Sequence, residues 1–241
     1  LEIMIDLSIV IPCYNEDENI FPLFVRIEKL LKKNSNVEII IVDNGSTDNT
    51  NKNILNSELY LMNKIKVLEI KKNIGYGYGV MSGLKISTGQ FIGFCHADLH
   101  PEPNTVFESY LQNIDKLKTG KFILKGRRRN RNIFDTVFTF GMSLFSSVIF
   151  QKILSDVNAQ PKLFPKLFLK FLKDCPNDFS LDLYILVMAK INYFKVINHD
   201  VIMEERIYNE AKGGGNLKGK IKLIIRTFLY TIKLRKYLWK L

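Results

Sequence analysis

Cysteine is scarce in this sequence. Cys13, Cys95 and Cys175 lie far apart and form no Cys-x-x-Cys pair. That excludes a disulfide scaffold and a cysteine-built zinc site, and it fits a reducing compartment. Long hydrophobic runs are missing as well. No stretch reaches the roughly 20 uninterrupted apolar residues that a membrane-spanning helix needs. The opening residues include Glu2 and Asp6 and lack the basic segment of a secretory signal, and the apolar run from Ile9 reads as a strand. Internal repeats and low-complexity linkers are absent too. The sharpest absence is local: residues 211–241 contain no Asp or Glu. They do contain Lys212, Lys218, Lys220, Lys222, Arg226, Lys233, Arg235, Lys236 and Lys240, which dominate the formal charge of +11. Such a surplus points to a polyanionic partner: nucleic acid, nucleotide phosphates or an anionic membrane face.

The 241 residues are 46% hydrophobic and 24% charged. That is ordinary globular usage and excludes a disordered chain. Apolar runs at 7–12, 37–42, 65–70 and 91–95 read as strands, and 19–33, 47–56 and 78–87 as helices between them. Strands apolar throughout and separated by helices imply a parallel sheet covered on both faces, an α/β fold. Further on, 122–124 reads as a strand, 133–150 and 178–191 as helices, and 194–205 as two strands around His199 and Asp200. In 133–150, Phe134, Val137, Phe138, Leu144, Phe145, Val148 and Ile149 fall on one helical face. The glycines Gly213 to Gly215 mark a boundary. Residues 1–212 form one domain, and 213–241 a basic amphipathic tail with an apolar stripe of Leu217, Ile221, Ile224, Ile225, Phe228 and Ile232.

Polar clusters follow each of the first four strands. They are Pro12-Cys13-Tyr14-Asn15-Glu16, then Asp43-Asn44-Gly45-Ser46-Thr47-Asp48, then Asn73-Ile74-Gly75-Tyr76-Gly77, then His96-Ala97-Asp98-Leu99-His100. Singly, each is good turn chemistry. Together, at four successive strand ends, they are expected to converge on one crevice, where parallel sheets bind ligands. A dehydrogenase reading of the glycines is weak, because that fingerprint follows the first strand and not the third.

The order P-x-Y-N-E, D-x-G-S-T-D-x-T, N-x-G-x-G-x-G and x-A-D-L resembles the family 2 glycosyltransferases. That resemblance implies a GT-A fold: a Rossmann-like, nucleotide-sugar-binding mixed sheet with helices on both faces. Glu205-Arg206-Ile207-Tyr208-Asn209-Glu210-Ala211-Lys212-Gly213-Gly214 is similar to the D-R-x-Y-G-x-S-K-x-G-G stretch of dolichyl-phosphate mannose synthases and related polyprenyl-phosphate sugar transferases. Residues 156–164 stand where those enzymes carry D-x-x-S-G-F-[KR]-L-[FY].

The resemblance assigns roles. It places Pro12, Tyr14, Glu16 and Asp43 around the base and ribose of a nucleotide-sugar, with Asn73, Gly75, Gly77 and Ala97 in the same donor-binding set. A carboxylate such as Asp43 accepts a hydrogen bond from a base N–H, and glycine lets a backbone come close. Asp98 matches the principal metal-binding Asp. The usual Asp-x-Asp is here His96-Ala97-Asp98, and His100 stands where Gln is common. If the segment is extended, 96, 98 and 100 share one face, so His96, Asp98 and His100 could all meet one divalent ion, Mn²⁺ or Mg²⁺. Alternatively His96 serves as a hydrogen-bond partner, or cationic side chains replace a metal altogether. Arg127 and Arg128, with Arg206 and Lys212, would grip phosphates, because the guanidinium fork meets phosphate oxygens bidentately. Asp182 stands at an acidic position that could act as general base, or as a structural residue of its helix.

Together these residues imply an enzyme that moves a hexosyl unit from a UDP- or GDP-sugar to a polyprenyl phosphate. It would be cytoplasmic and held at the membrane face by its basic tail, with room for a separate membrane-protein partner. A hydroxyl acceptor on a glycan is the alternative within the family. A nucleic-acid-binding protein is the alternative outside it, disfavoured because no recognised nucleic-acid module is present.

Overall fold

The computed structural model describes residues 4–130, 133–202 and 217–239. A seven-stranded sheet runs in the order β3-β2-β1-β4-β6-β5-β7. The strands are β1 (Leu7–Cys13), β2 (Val37–Asp43), β3 (Lys66–Glu69), β4 (Phe91–Phe94), β5 (Phe122–Arg129), β6 (Lys162–Pro165) and β7 (Lys195–Ile202). The first four pair in parallel, as their uniform apolarity requires. β6 runs antiparallel to both β4 and β5, whereas β5 and β7 are parallel. Six strands therefore point one way and β6 alone is reversed. A single strand, β7, runs through His199 and Asp200 where two were expected. Its register with β5 is unbroken from Phe122 opposite Lys195 to Arg129 opposite Ile202.

The helices are α1 (Asp17–Lys33), α2 (Thr50–Leu55), α3 (Glu58–Leu61), α4 (Tyr76–Ile86), α5 (Pro103–Lys118), α6 (Ile133–Phe150), α7 (Leu181–Ile191) and α8 (Leu217–Leu238). They divide the core into two layers. One face of the sheet packs Ile9, Ile11, Ile39 and Ile41 with Leu23 and Ile27 of α1 and Val106 of α5. The other packs Val10, Ile40, Val42, Phe94 and Phe164 with Val80 and Leu84 of α4 and Leu183 to Val187 of α7. Gly83 sits where a Cβ would lie 2.4 Å from Val10, so α4 can rest directly on β1 and β2. The sequence reading passed over α5, although Val106, Phe107, Tyr110, Leu111, Ile114 and Leu117 fall at helical spacing, and β6, a strand of only four residues that opens on Lys162.

Candidate active site

Because six strands are co-directional, the carboxyl ends of β1, β2, β4 and β5 open on one edge of the sheet. The loop entering the reversed β6 starts from that same edge. Side chains tie these ends together. The Asn15 backbone N–H donates to Ser46 Oγ at 3.0 Å, and the Thr47 N–H to Asn15 Oδ1 at 2.8 Å. The Ser46 N–H donates to Asp43 Oδ1 at 3.1 Å. Asn44 Nδ2 donates to the Gly75 carbonyl at 3.0 Å. The Tyr76 ring lies 5.4 Å from that of His96. The four strand-end clusters thus form one continuous rim.

Within it, Asp43 is 4% exposed and Ala97 2%, while Tyr14 presents its ring at 37%. Glu16 is held at the start of α1: its backbone N–H donates to Thr50 Oγ1 at 2.7 Å, and its Oε2 accepts from Asn19 Nδ2 at 2.6 Å. Pro12 lies beside Val42 on β2. The Asn73 nitrogen lies under Gly45, 2.5 Å from where a Cβ would stand. Gly75 and Gly77 make their close approach to the loop before α7. A Cβ on Gly75 (φ +135°) would lie 2.2 Å from the Asn177 carbonyl oxygen, and one on Gly77 2.2 Å from that of Pro176.

The segment after β4 is not extended. Residues 97 and 98 turn, and Leu99 takes a φ of 64°. The His100 N–H donates to Asp98 Oδ1 at 3.2 Å, and its Nδ1 lies 2.8 Å from the Asp98 carbonyl. His96 turns to Tyr76 instead. The expectation that His96, Asp98 and His100 share a face is therefore corrected: alternation requires extended backbone, and the chain curls here. Among the described residues no three His, Cys, Asp or Glu side chains gather around one ion position.

Behind the rim lies a buried polar network. Lys162 and Asp182 are each 1% exposed, and Lys162 Nζ donates to Asp182 Oδ1 at 2.6 Å and to the Ala159 carbonyl at 3.2 Å. Gln160 Nε2 bridges the same Asp182 oxygen at 2.9 Å and the Tyr76 hydroxyl at 3.2 Å. Burial, then the negative charges of Asp182, Cys95 and Asp98, would hold the Tyr76 phenol well above its usual range. Lys125 stands opposite Lys162 in the sheet, 2% exposed, and donates to the Gly126 carbonyl at 3.1 Å. Burial pushes its ammonium down to about 8 against the pull of Asp156, with Lys162, Arg128 and Arg127 adding to the fall. Burial also lowers Lys162, and Asp182 opposes it. In this position Asp182 anchors a lysine from within α7. Gln160 and Lys125 carried no sequence signal of their own. Lys162 did occupy the [KR] position of the family element.

The arginines at the end of β5 are already partnered. Arg128 is held by Asp156 through its backbone N–H at 2.8 Å, its Nε at 2.9 Å and a further contact from Nη2. Burial works to raise the Asp156 carboxyl, but Arg128 outweighs it and the net direction is down. Arg127 Nε and Arg129 Nη2 both reach the exposed Asp200, at 2.5 and 2.9 Å. Arg127 and then Arg129 lower that carboxyl to about 2. Arg128 alone of the three points to the loop that carries Gln160. Arg206 and Lys212 lie outside the described residues.

Comparison with known proteins gives this geometry its context. The "Glycosyl transferase family 2" model matches residues 8–164. A dolichol-phosphate mannosyltransferase of Pyrococcus furiosus is 27% identical over 88% of this chain and 59% of its own length. An undecaprenyl-phosphate 4-deoxy-4-formamido-L-arabinose transferase of Proteus mirabilis is 25% identical over 85% of the chain and 62% of its own. The chain thus spans about three fifths of these relatives' length. Among solved structures, the glucosyl-3-phosphoglycerate synthase of Mycobacterium tuberculosis, in complex with Mn²⁺, UDP and glucosyl-3-phosphoglycerate, superposes with a TM-score of 0.69. That match is 17% identical and covers 95% of this chain and 79% of that one. The matched span holds every strand-end cluster of the rim, and the sheet carrying them is that of the GT-A enzymes. The chain belongs to glycosyl transferase family 2.

Proposed function

We propose that this glycosyltransferase moves a hexosyl unit, with inversion, from a UDP- or GDP-sugar to a polyprenyl phosphate. The observation that carries the choice of acceptor is the state of Asp182. A sugar hydroxyl must lose its proton during attack and needs a positioned base. Asp182 is 1% exposed and its Oδ1 is engaged by both Lys162 and Gln160. A phosphate monoester, with a second pKa near 6, is already anionic at pH 7 and needs no base. The Pyrococcus and Proteus relatives, a dolichol-phosphate mannosyltransferase and an undecaprenyl-phosphate sugar transferase, support the same choice.

In this reading the rim of Asp43, Asn73 and Tyr14 receives the nucleoside. Arg128, oriented by Asp156, faces the phosphates, with Arg206 and Lys212 adding charge. The donor set suits a divalent ion held by Asp98 together with diphosphate oxygens, since Mg²⁺ and Mn²⁺ commonly bind through one or two carboxylates plus substrate phosphates. Such an ion supplies neutralisation of the leaving diphosphate. The basic tail works at the cytoplasmic membrane face, where a polyprenyl phosphate is reached, and leaves room for a membrane-protein partner. No described helix is long and apolar enough to cross a membrane.

A donor screen that follows UDP or GDP release, with and without polyprenyl phosphate, tests this. Release that depends on polyprenyl phosphate supports the reading. Release driven equally by a soluble sugar hydroxyl overturns it in favour of a glycan acceptor.

A further inference from the structure

Buried side-chain oxygens almost always have a hydrogen-bond partner, so each one without a partner calls for an explanation. Among the described residues, six such atoms have none. Ser143 Oγ and Ser146 Oγ lie on α6. The other four, Asn44 Oδ1, Asn158 Oδ1, Gln160 Oε1 and Ser180 Oγ, lie in segments that meet at the carboxyl edge of the sheet. Gln160 is the most constrained of them. It is 2% exposed. Its Nε2 donates to Asp182 Oδ1 at 2.9 Å and to the Tyr76 hydroxyl at 3.2 Å, so both amide hydrogens are spent. A carboxylate only accepts, so the amide cannot turn over, and its nitrogen must face Asp182. Asp182 is itself held by Lys162 Nζ at 2.6 Å. The carbonyl Oε1 is thereby fixed in one direction and left without a donor.

The place of this oxygen selects its partner. Gln160 touches Asp182 directly and reaches the His96 side of the rim through Tyr76, whose ring lies 5.4 Å from that of His96 and stacks on Phe179 at 4.6 Å. A nucleotide-sugar with its diphosphate at Asp98 and its anomeric carbon turned to an acceptor puts its hexosyl ring in this interval. The chemistry of the oxygen narrows the ligand further. An amide carbonyl accepts and does not donate. An anionic phosphate is an acceptor too and gains nothing from it, and the Asp182 carboxylate beside it disfavours a second anion. A sugar hydroxyl is neutral and brings a proton to donate. Tyr76 supplies the complementary group: its oxygen accepts from Gln160, and its own proton has no acceptor among the described residues. A sugar ring, whose hydroxyls both donate and accept, meets both. In the family element noted above, position 160 is Gly, so a side chain here is this chain's own.

We propose that Gln160 is a specificity-determining residue whose amide carbonyl reads one hydroxyl of the transferred hexosyl unit. The proposal deepens the functional reading above and rests on its nucleotide-sugar donor, but not on its acceptor. A buried acceptor built to meet a hydroxyl rejects the analogue that lacks it, because the site is then left unpaired. The test starts from UDP-glucose, UDP-galactose and GDP-mannose and continues with whichever binds, together with the analogues of that donor that lack one hydroxyl each or carry fluorine in its place. Binding is read as competitive inhibition, because fluorine also slows departure at the anomeric carbon. In the unmodified protein one deoxy donor should bind about a hundredfold more weakly than its parent. Its fluorinated counterpart should bind just as weakly, since fluorine cannot donate. Gln160→Met keeps the length of the side chain and removes the carbonyl, so the parent should fall to the level of that deoxy donor while the penalties of the other deoxy donors stay as they were. Should Gln160→Met fail to fold, the unmodified protein decides: a fluorinated donor that binds as well as the parent shows that this hydroxyl accepts, which overturns the assignment. A series with no selective loss, or a penalty unchanged in Gln160→Met, also overturns it and leaves Oε1 to a buried water. A protein that binds none of the donors fails the functional reading and this proposal with it, whereas one that binds a donor and shows a flat series fails the proposal alone.

Discussion

Lys162 on β6 and Asp182 at the start of α7 form an ion pair of 2.6 Å with both side chains 1% exposed. Removing one partner strands a buried charge, which typically costs about 3–5 kcal/mol, whereas replacing both by apolar residues of similar volume is often neutral. Lys162→Met and Asp182→Asn should therefore each lower stability in urea denaturation by that order. Lys162→Met with Asp182→Leu should recover most of it. Additive losses in the double variant would show that the two residues act independently.

The same pair separates acceptor classes. On the folded Asp182→Asn enzyme, transfer to a polyprenyl phosphate should keep its rate within a few-fold. If the acceptor is a hydroxyl activated by this residue, turnover should fall about 10²–10⁴-fold. Initial rates normalised to folded protein decide between them.

Asp98→Ala should abolish turnover and leave the fold intact. A chelator should do the same to the unmodified enzyme, reversibly by Mn²⁺. His96→Asp, which recreates the usual family motif, should remain active. Because the chain curls after β4 and turns His96 to Tyr76, this change should shift metal preference less than an extended segment would predict. Full activity in chelator would remove the metal from the mechanism.

Arg128→Ala and Arg127→Ala should differ. Arg128 is fixed from three atoms by the half-buried Asp156, whereas Arg127 shares the exposed Asp200 with Arg129. A charge-assisted hydrogen bond is worth about 1.5–3 kcal/mol, so Arg128→Ala should reduce turnover tenfold or more and Arg127→Ala much less. Arg128→Lys should not rescue, since an ammonium lacks the planar fork. Equal kinetics for the two alanine variants would count against Arg128 as the phosphate-facing residue.

Lys125 gives a pH signature. Its ammonium is pushed down from 10.5 to about 8 by burial. Between roughly pH 8 and 10 the unfolded chain then holds a proton that the folded protein has released, so this site's contribution to stability rises with pH across that window. Lys125→Met should remove that rise from a series of melting temperatures. A slope that persists in the variant would have to come from another group.

The parts legible in the sequence were those set by local pattern. Residues 37–42 and 91–95 could only be buried strands. The Asn, Asp and Gly clusters after them marked the carboxyl edge, and the rim from Asn15 through Ser46, Asn44 and Gly75 to Tyr76 and His96 followed from parallel strands. What was hidden depends on distance along the chain. Nothing near Lys162 indicates that its counter-charge comes 20 residues later on a helix. The apolar spacing of α6 marks a stripe, but periodicity carries no sign, so it could not tell that Val137, Leu144 and Val148 of that stripe face outward. The curl at Leu99 also left no mark, because a left-handed leucine is a conformation that its residue type disfavours.

The reversed strand β6 has one more consequence. It divides the sheet into a four-strand block that carries the stitched rim and a two-strand block that carries Arg127 to Arg129. Gln160, in the loop that leads into the reversed strand, joins the blocks by reaching across to Tyr76. A second join lies at Gly75 and Gly77, which press against the backbone of residues 176 and 177. The rim and the chain from β5 onward are therefore fitted to one another, and a change in the loop before α7 is felt at the rim although it lies about a hundred residues further along the sequence.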